Sequence, residues 1–340
     1  MLGPLAGGLI IRHLSWSWIF WINLPIGLVA AVGFMKFLHE RVASGRRSVD
    51  AAGAALFMVA VASLMVALTQ IGTTNHATAL VSAGVCLASC VLFVFQERFA
   101  SDPMLALRVW AHRPIATANG ATLLSGMALI GLTSFLPMYV QGVLNRSALV
   151  AGFALTMVVL GWPIGATVAS RIFHRVGVRT TLLFGAGLLP IGALAFLALS
   201  PTTSPVIAGL GSIVMGLGMG FLSTSAIVIV QDSVGWSERG AATASNIFSR
   251  NLGSTLGATV LGAVLNFSLS MGGPSGPVDA DQIRLLLDHS AGSVSDAVVQ
   301  AALDLSLHYT FWGVFLISVL TLLFATLVPC LLYTSPSPRD

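Results

Sequence analysis

Apolar residues in this chain come in long unbroken runs, with the charges gathered in the short stretches between them. The runs fall at about 1–11, 16–37, 50–71, 77–96, 115–140, 149–170, 180–199, 205–230, 243–269 and 307–330. The first is about half the length of the others. The remaining nine each supply the roughly 20 apolar residues that a helix needs to cross a bilayer's hydrocarbon. They are too long and too uniformly apolar for the strands of a membrane barrel, which alternate in polarity over about ten residues. Lipid offers a bare backbone no hydrogen-bond partner, so a run of this kind satisfies itself as a helix. The pattern predicts an all-α polytopic membrane protein.

Composition makes this firmer. Only 8% of the 340 residues are charged and 56% are hydrophobic, against roughly 25% charged in an ordinary soluble protein. So few charges cannot cover a water-facing surface of this size. The net charge is +4, and where the basic residues fall explains it without nucleic acid. One alternate set of connections (36–49, 97–114, 171–179, 231–250 and the C-terminal tail) holds Lys36, Arg41, Arg46, Arg47, Arg98, Arg108, Arg113, Arg171, Arg175, Arg179, Arg239, Arg250 and Arg339, thirteen in all. The opposite set holds three, Arg12, Arg146 and Arg284. This asymmetry predicts that the first set faces the cytoplasm in a multi-pass protein of the cell membrane, inner or plasma. The long opposite connection, 270–306, carries five aspartates, among them Asp296 and Asp304, and reads as a solvated cap with a short surface helix near Ile283–Leu287.

Candidate chemistry is sparse. Seven histidines are scattered over connections and span ends, and Cys86 and Cys90 sit one turn apart on a single span, as packing thiols. Nothing here gathers a metal site, a cofactor site or a catalytic group, so the chain does not read as an enzyme. The absence of a Gly-Lys-Ser/Thr phosphate loop argues against an ATP-driven pump. No Asp or Glu falls at the centre of any run, so the buried carboxylate that proton coupling needs is expected outside this chain.

One stripe stands out on the span 115–140. At 100° per residue, Asn119, Thr122, Gly126, Thr133, Pro137 and Gln141 fall within an arc of about 100°. Such a stripe avoids lipid, and two readings stand: it lines a cavity, or it packs against another helix. Gly3, Pro4, Gly7 and Gly8, like Gly253 and Gly257, place small residues where helices approach closely, as generic packing or as a contact between bundles. Arg171, Arg175 and Arg179 recur every fourth residue, with Gly177 free to turn the chain.

Several of these residues also carry a resemblance. Gly3-Pro4-Leu5-Ala6-Gly7-Gly8, followed by Trp16-Ser17-Trp18-Ile19-Phe20-Trp21-Ile22-Asn23-Leu24-Pro25-Ile26-Gly27, resembles the antiporter signature and next helix of the major facilitator superfamily, in its 14-helix drug:proton antiporter branch. Ser170–Arg179, Glu238–Asn246 and Leu252–Gly257 are similar to the same branch. The resemblance implies that residues 1–38 end an N-terminal bundle. It makes 39–114 loops and two extra helices, and 115–330 a complete six-helix C-terminal bundle. Because the signature lies on the fifth of fourteen helices, it also implies that about four helices are missing before Met1. Residues 331–340 read as a non-native tail. The implied function is multidrug efflux by proton antiport in the full-length form, with lipid, a lipophilic small molecule and protons as partners. Export of one metabolite, such as a siderophore or an amino acid, and a non-functional fragment are the alternatives, and any periplasmic or outer-membrane partner is left unassigned.

Overall fold

The computed structural model describes residues 15, 17–37, 50–70, 76–100, 110–271 and 294–329. All regular structure among them is helical. The helices are α1 (Trp18–Trp21), α2 (Asn23–Phe37), α3 (Ala51–Thr69), α4 (His76–Phe99), α5 (Arg113–Gly142), α6 (Ala148–Val176), α7 (Val178–Leu197), α8 (Pro205–Asp232), α9 (Arg239–Met271) and α10 (Val294–Thr326), with a 3-10 turn at Trp236–Glu238. Eight of these, α3 to α10, are long and apolar enough to cross a membrane. The all-α polytopic fold expected from the run pattern is therefore present. The expected run 16–37 divides between α1 and α2, because Pro25 has no N–H for the Trp21 carbonyl and its ring crowds that oxygen. The run 1–11, the tail 331–340 and the surface helix near Ile283–Leu287 lie outside the described residues.

Local chemistry sets most helix ends. Asp50 caps α3: its Oδ1 accepts from the Gly53 amide at 2.8 Å and from Gln96 Nε2 at 3.0 Å. Pro114 and Pro205 open α5 and α8 at positions where a missing N–H costs nothing. Between α6 and α7 the expected loop 171–179 contracts to one residue. Gly177 turns the chain at φ 88°, ψ 147°, so Arg171 and Arg175 sit on the last turns of α6 and Arg179 on the first turn of α7.

α5 to α10 pack as a six-helix bundle, α8 against α6 and α7, α5 against α9 and α10, and α10 also against α7 and α9. Glycine seams bring α8 close to its neighbours. A methyl group at Gly161 would lie 2.6 Å from the Ile213 oxygen, one at Gly216 2.5 Å from the Val158 oxygen, and one at Gly185 2.6 Å from the Leu222 nitrogen. Backbones meet where side chains are absent, the usual basis of helix association in lipid. α2 contributes no described residue to the interior and α3 only Gly53 and Ala60; their apolar faces point outward. α3 reaches the bundle through Phe57 against Phe248, ring centroids 5.1 Å apart.

Two helices run further than expected. α9 and α10 each hold 33 residues, about 50 Å of helix. α10 starts at Val294 instead of near 307, so Asp296 and Asp304 lie on a helix and not in a loop cap. Val299, Ala302, Leu303, Ser306 and Leu307 are buried, a spacing of three and four that marks one helix face. The interspersed polar residues lower the mean hydropathy without disturbing that period. α9 likewise carries Arg250 as its twelfth residue, within the run 243–269 and away from the basic connection 231–250 in which the charge count placed it.

Candidate functional site

The seam between α5 and α9 is where the bundle buries polar chemistry. On α9 the buried residues Ala242, Ser245, Asn246, Ser249, Gly253 and Gly257 form one stripe. It meets α5 at very short range: Gly253 faces the Leu123 oxygen, Gly126 faces the Arg250 oxygen, and a methyl group at Gly257 would lie 2.5 Å from Met127 Cα. This approach lets the amides pair. Asn246 Nδ2 donates to Asn119 Oδ1 at 2.9 Å and to Thr122 Oγ1 at 3.0 Å, and Asn119 Nδ2 donates to Ser245 Oγ at 2.8 Å. Asn119, Thr122 and Asn246 are fully buried, and an amide in that setting costs stability unless it is bonded.

The sequence stripe on α5 therefore divides. Asn119, Thr122 and Gly126 meet α9. Thr133, Pro137 and Gln141 are half-buried further along; the Thr133 hydroxyl donates to the Leu129 oxygen at 3.1 Å, and Gln141 Nε2 to the Pro137 oxygen at 3.3 Å. Gly3, Pro4, Gly7 and Gly8 lie outside the described residues. Arg171 and Arg175 are exposed, whereas Arg179 donates from Nη2 to the Thr326 oxygen at 3.1 Å. That bond satisfies an end carbonyl of α10 with a cation, which the helix dipole favours there.

Arg250 is the residue that sequence reasoning placed twice, inside the run 243–269 and at the end of the basic connection 231–250, and the structure keeps only the first. Its guanidinium carbon stands 5.5 Å over the Trp162 ring, and Trp162 is fourteen residues from either end of α6. Its carbonyl abuts Gly126, near the middle of α5. The charge thus lies at the mid-depth of the bundle. Arg250 Nε and Nη2 are buried with no hydrogen-bond partner among the described residues, and Asn246 Oδ1, one turn earlier, is likewise unpaired. The ring face offers a cation–π contact but accepts none of these hydrogens in the usual way. A signal was present in the chain: Asn246, Arg250, Gly253 and Gly257 keep helical spacing straight into an apolar run. Counting Arg250 as the last residue of a basic turn hid it.

Comparison with known proteins gives this geometry a family context. A family model described as Major Facilitator Superfamily matches residues 1–258. The chain is 29% identical over 270 residues to the multidrug transporter protein MdtP of Bacillus subtilis, covering 78% of this chain and 50% of that protein. It is 28% identical over 341 residues to multidrug resistance protein 3 of the same organism, covering 96% and 66%. It is 29% identical over 272 residues to multidrug resistance protein Stp of Mycobacterium tuberculosis, covering 79% and 50%. The chain spans between half and two thirds of the length of these relatives.

Proposed function

The chain belongs to the major facilitator superfamily, and from that premise we propose that it serves a secondary active exporter of lipophilic small molecules, driven by protons. MdtP is a multidrug transporter by name and the other two relatives are multidrug resistance proteins, so with its family the chain belongs among transporters and is not an enzyme. The observation that carries the proposal further is the guanidinium of Arg250 at mid-depth, stacked on Trp162 with two nitrogens unpaired. A charge placed there against lipid is costly, so this face of the six-helix bundle turns toward a polar route or a facing bundle. An aromatic ring beside hydrogen-bond donors and one free amide oxygen suits amphipathic compounds of loosely defined shape. In this reading residues 115–330 are the C-terminal bundle of a two-bundle transporter, 1–38 close the other bundle, and the arginine-rich turns face the cytoplasm of the cell membrane. Gly3, Pro4, Gly7 and Gly8 then belong to the contact between bundles.

Dye efflux from cells expressing the protein, with and without a protonophore, tests the proposal. Efflux that the protonophore abolishes is the expected result; efflux that ignores it removes proton coupling. Single cysteines at 119, 126 and 133 locate the route, with 133 labelled by a water-soluble thiol reagent and 119 and 126 protected by α9. Labelling at 119 with protection at 133 would place the route on another face.

Arg250 also favours a second reading, export of one acidic metabolite whose carboxylate meets the guanidinium. Competition separates the two: a lipophilic cation that slows dye efflux supports the multidrug reading, and inhibition confined to organic acids supports the metabolite.

A further inference from the structure

The two orphaned nitrogens of Arg250 lie side by side. Nε and Nη2 share one edge of the guanidinium, on which two N–H bonds point the same way, and both are buried with no hydrogen-bond partner among the described residues. That edge is the one that grips a carboxylate with two parallel bonds. Arg250 as a whole is half-buried, so the enclosed edge lies beneath a side chain that still reaches open surface. α6 and α9 each pack against α5 and α8 and make no comparable contact with one another. The contact of Arg250 with Trp162, 5.5 Å from guanidinium carbon to ring centroid, therefore spans the ground between α5 and α8.

The helices keep this ground bare and apolar. The main chain of Arg250 lies against Gly126 of α5 and that of Trp162 against Gly220 of α8, and neither glycine puts a side chain beside the fork. At the same depth stand Leu123 and Met127 of α5, against Gly253 and Gly257, and Leu217 of α8, against Gly165; all three side chains are half-buried and apolar. Among the described residues no carboxylate pairs with Arg250: Asp50 caps α3, Asp232 stands 3.9 Å from Arg239, and Asp304 accepts from Tyr139. What the empty edge selects is an anion with two oxygens. A cation would meet a like charge, and a neutral carbonyl would leave the guanidinium unbalanced where imbalance is costly. Phosphate headgroups lie about 15 Å away at the bilayer surface, half the hydrocarbon thickness from mid-depth.

We propose that the Nε, Nη2 edge of Arg250 is a subsite for the carboxylate of lipophilic organic acids, whose hydrocarbon part lies on the apolar ground between α5 and α8. The acid binds ionised and no covalent bond changes. Trp162 positions the guanidinium: a ring face attracts the cation without consuming an N–H, so the edge remains for an acceptor. The bound pair is neutral overall, the form that this depth tolerates. An Asp or Glu side chain of a facing bundle would offer the same carboxylate chemistry, and the test separates the two sources. The inference deepens the exporter reading, on which it rests for what becomes of the bound acid, and it holds whether many acids are carried or one.

The test is calorimetric titration of the full chain in uncharged detergent micelles, with heats into empty micelles subtracted. Three probes are used: naphthoate, the neutral naphthylmethanol, and propionate, which stands in for an acidic side chain. Naphthoate should saturate and bind at least about tenfold tighter than either of the others, since it alone brings both the charge and the apolar body. Arg250→Gln should abolish its saturable binding, and Arg250→Lys, which keeps the charge without the fork, should weaken it at least about threefold. Naphthoate no tighter than naphthylmethanol, or unchanged in Arg250→Gln, overturns the proposal. Naphthoate no tighter than propionate gives the fork to a side chain and overturns it too. Should the variants not fold, the three probes on the unsubstituted chain still decide. Naphthoate binding without protonophore-sensitive efflux keeps the subsite and removes the proton-driven exporter; such efflux from a chain that does not bind naphthoate does the reverse.

Discussion

α8 and α9 both run through the six-helix bundle, and they are held by opposite means. Along α8, glycines meet the backbones of α6 and α7, with Gly161, Gly165 and Gly185 set against Gly216, Gly218 and Gly220 and no charged side chain between them. Along α9, the contact with α5 is built from amides and hydroxyls, and an arginine beside them reaches over Trp162 of α6. Both seams bring backbones together; α8 leaves two buried hydroxyls unpaired, Ser212 and Ser225, whereas α9 leaves a guanidinium and an amide oxygen unpaired. The glycine contacts are explained by packing: bare backbones gain dispersion contacts by meeting closely. The polar seam is explained by packing only as far as Asn119, Thr122, Ser245 and Asn246. Arg250 remains over, and a charge that stability does not need points to function.

That contrast can be broken by substitution, and the largest effect belongs to the glycine seam. Gly220 faces the Trp162 oxygen, and a methyl group there would also lie 2.5 Å from the Ala166 nitrogen. Both are main-chain atoms that cannot swing aside, so Gly220→Leu should cost about 3 kcal/mol or prevent folding. Thermal unfolding in detergent measures this, with Gly209→Leu as the control, since a methyl group at 209 would sit 3.7 Å from Met157 in ordinary contact. Similar losses for both would mean that the seam is not close-packed. Asn246→Leu comes next, at about 1.5 kcal/mol, because it strands the Asn119 and Thr122 oxygens. A cycle with Asn119→Leu should give a coupling of about 1 kcal/mol, and simple additivity would mean that the two amides do not pair.

Arg250→Met is expected to move stability the other way, or by less than about 1 kcal/mol, since replacing an unpaired buried charge with an apolar chain of similar length removes a penalty. Dye efflux should nevertheless fall at least tenfold. A melting point lowered as far as that of Asn246→Leu, with efflux retained, would turn Arg250 into a packing residue. The smallest effects belong to the α6–α7 turn. Arg179→Ala loses its bond to the Thr326 oxygen and should cost about 0.5–1 kcal/mol. Arg171→Ala and Arg175→Ala, both exposed, should stay within about 0.5 kcal/mol, and equal losses at all three positions would deny Arg179 its cap.

The chain itself determined the class of the fold and most of its spans, for a simple physical reason. A backbone in lipid has no partner but itself, so a long apolar run has one outcome, and the expected ends of α3 to α8 lie within six residues of the observed ones. Where a helix carries polar residues through its length, apolar counting stops early. That is why Asp304 and His308 read as loop and span end, and why the bounds of the run 243–269 and the basic connection 231–250 overlapped at Arg250. The stripe on α5 was visible as a stripe, but its period cannot say what lies opposite. Only the packed bundle sets Asn119 against Asn246, lays Arg250 over Trp162, and brings the Leu199 oxygen to His308 across 109 residues of chain. Spans follow from the solvent, which each segment meets alone. Partners follow from which helices touch, and that belongs to the whole bundle.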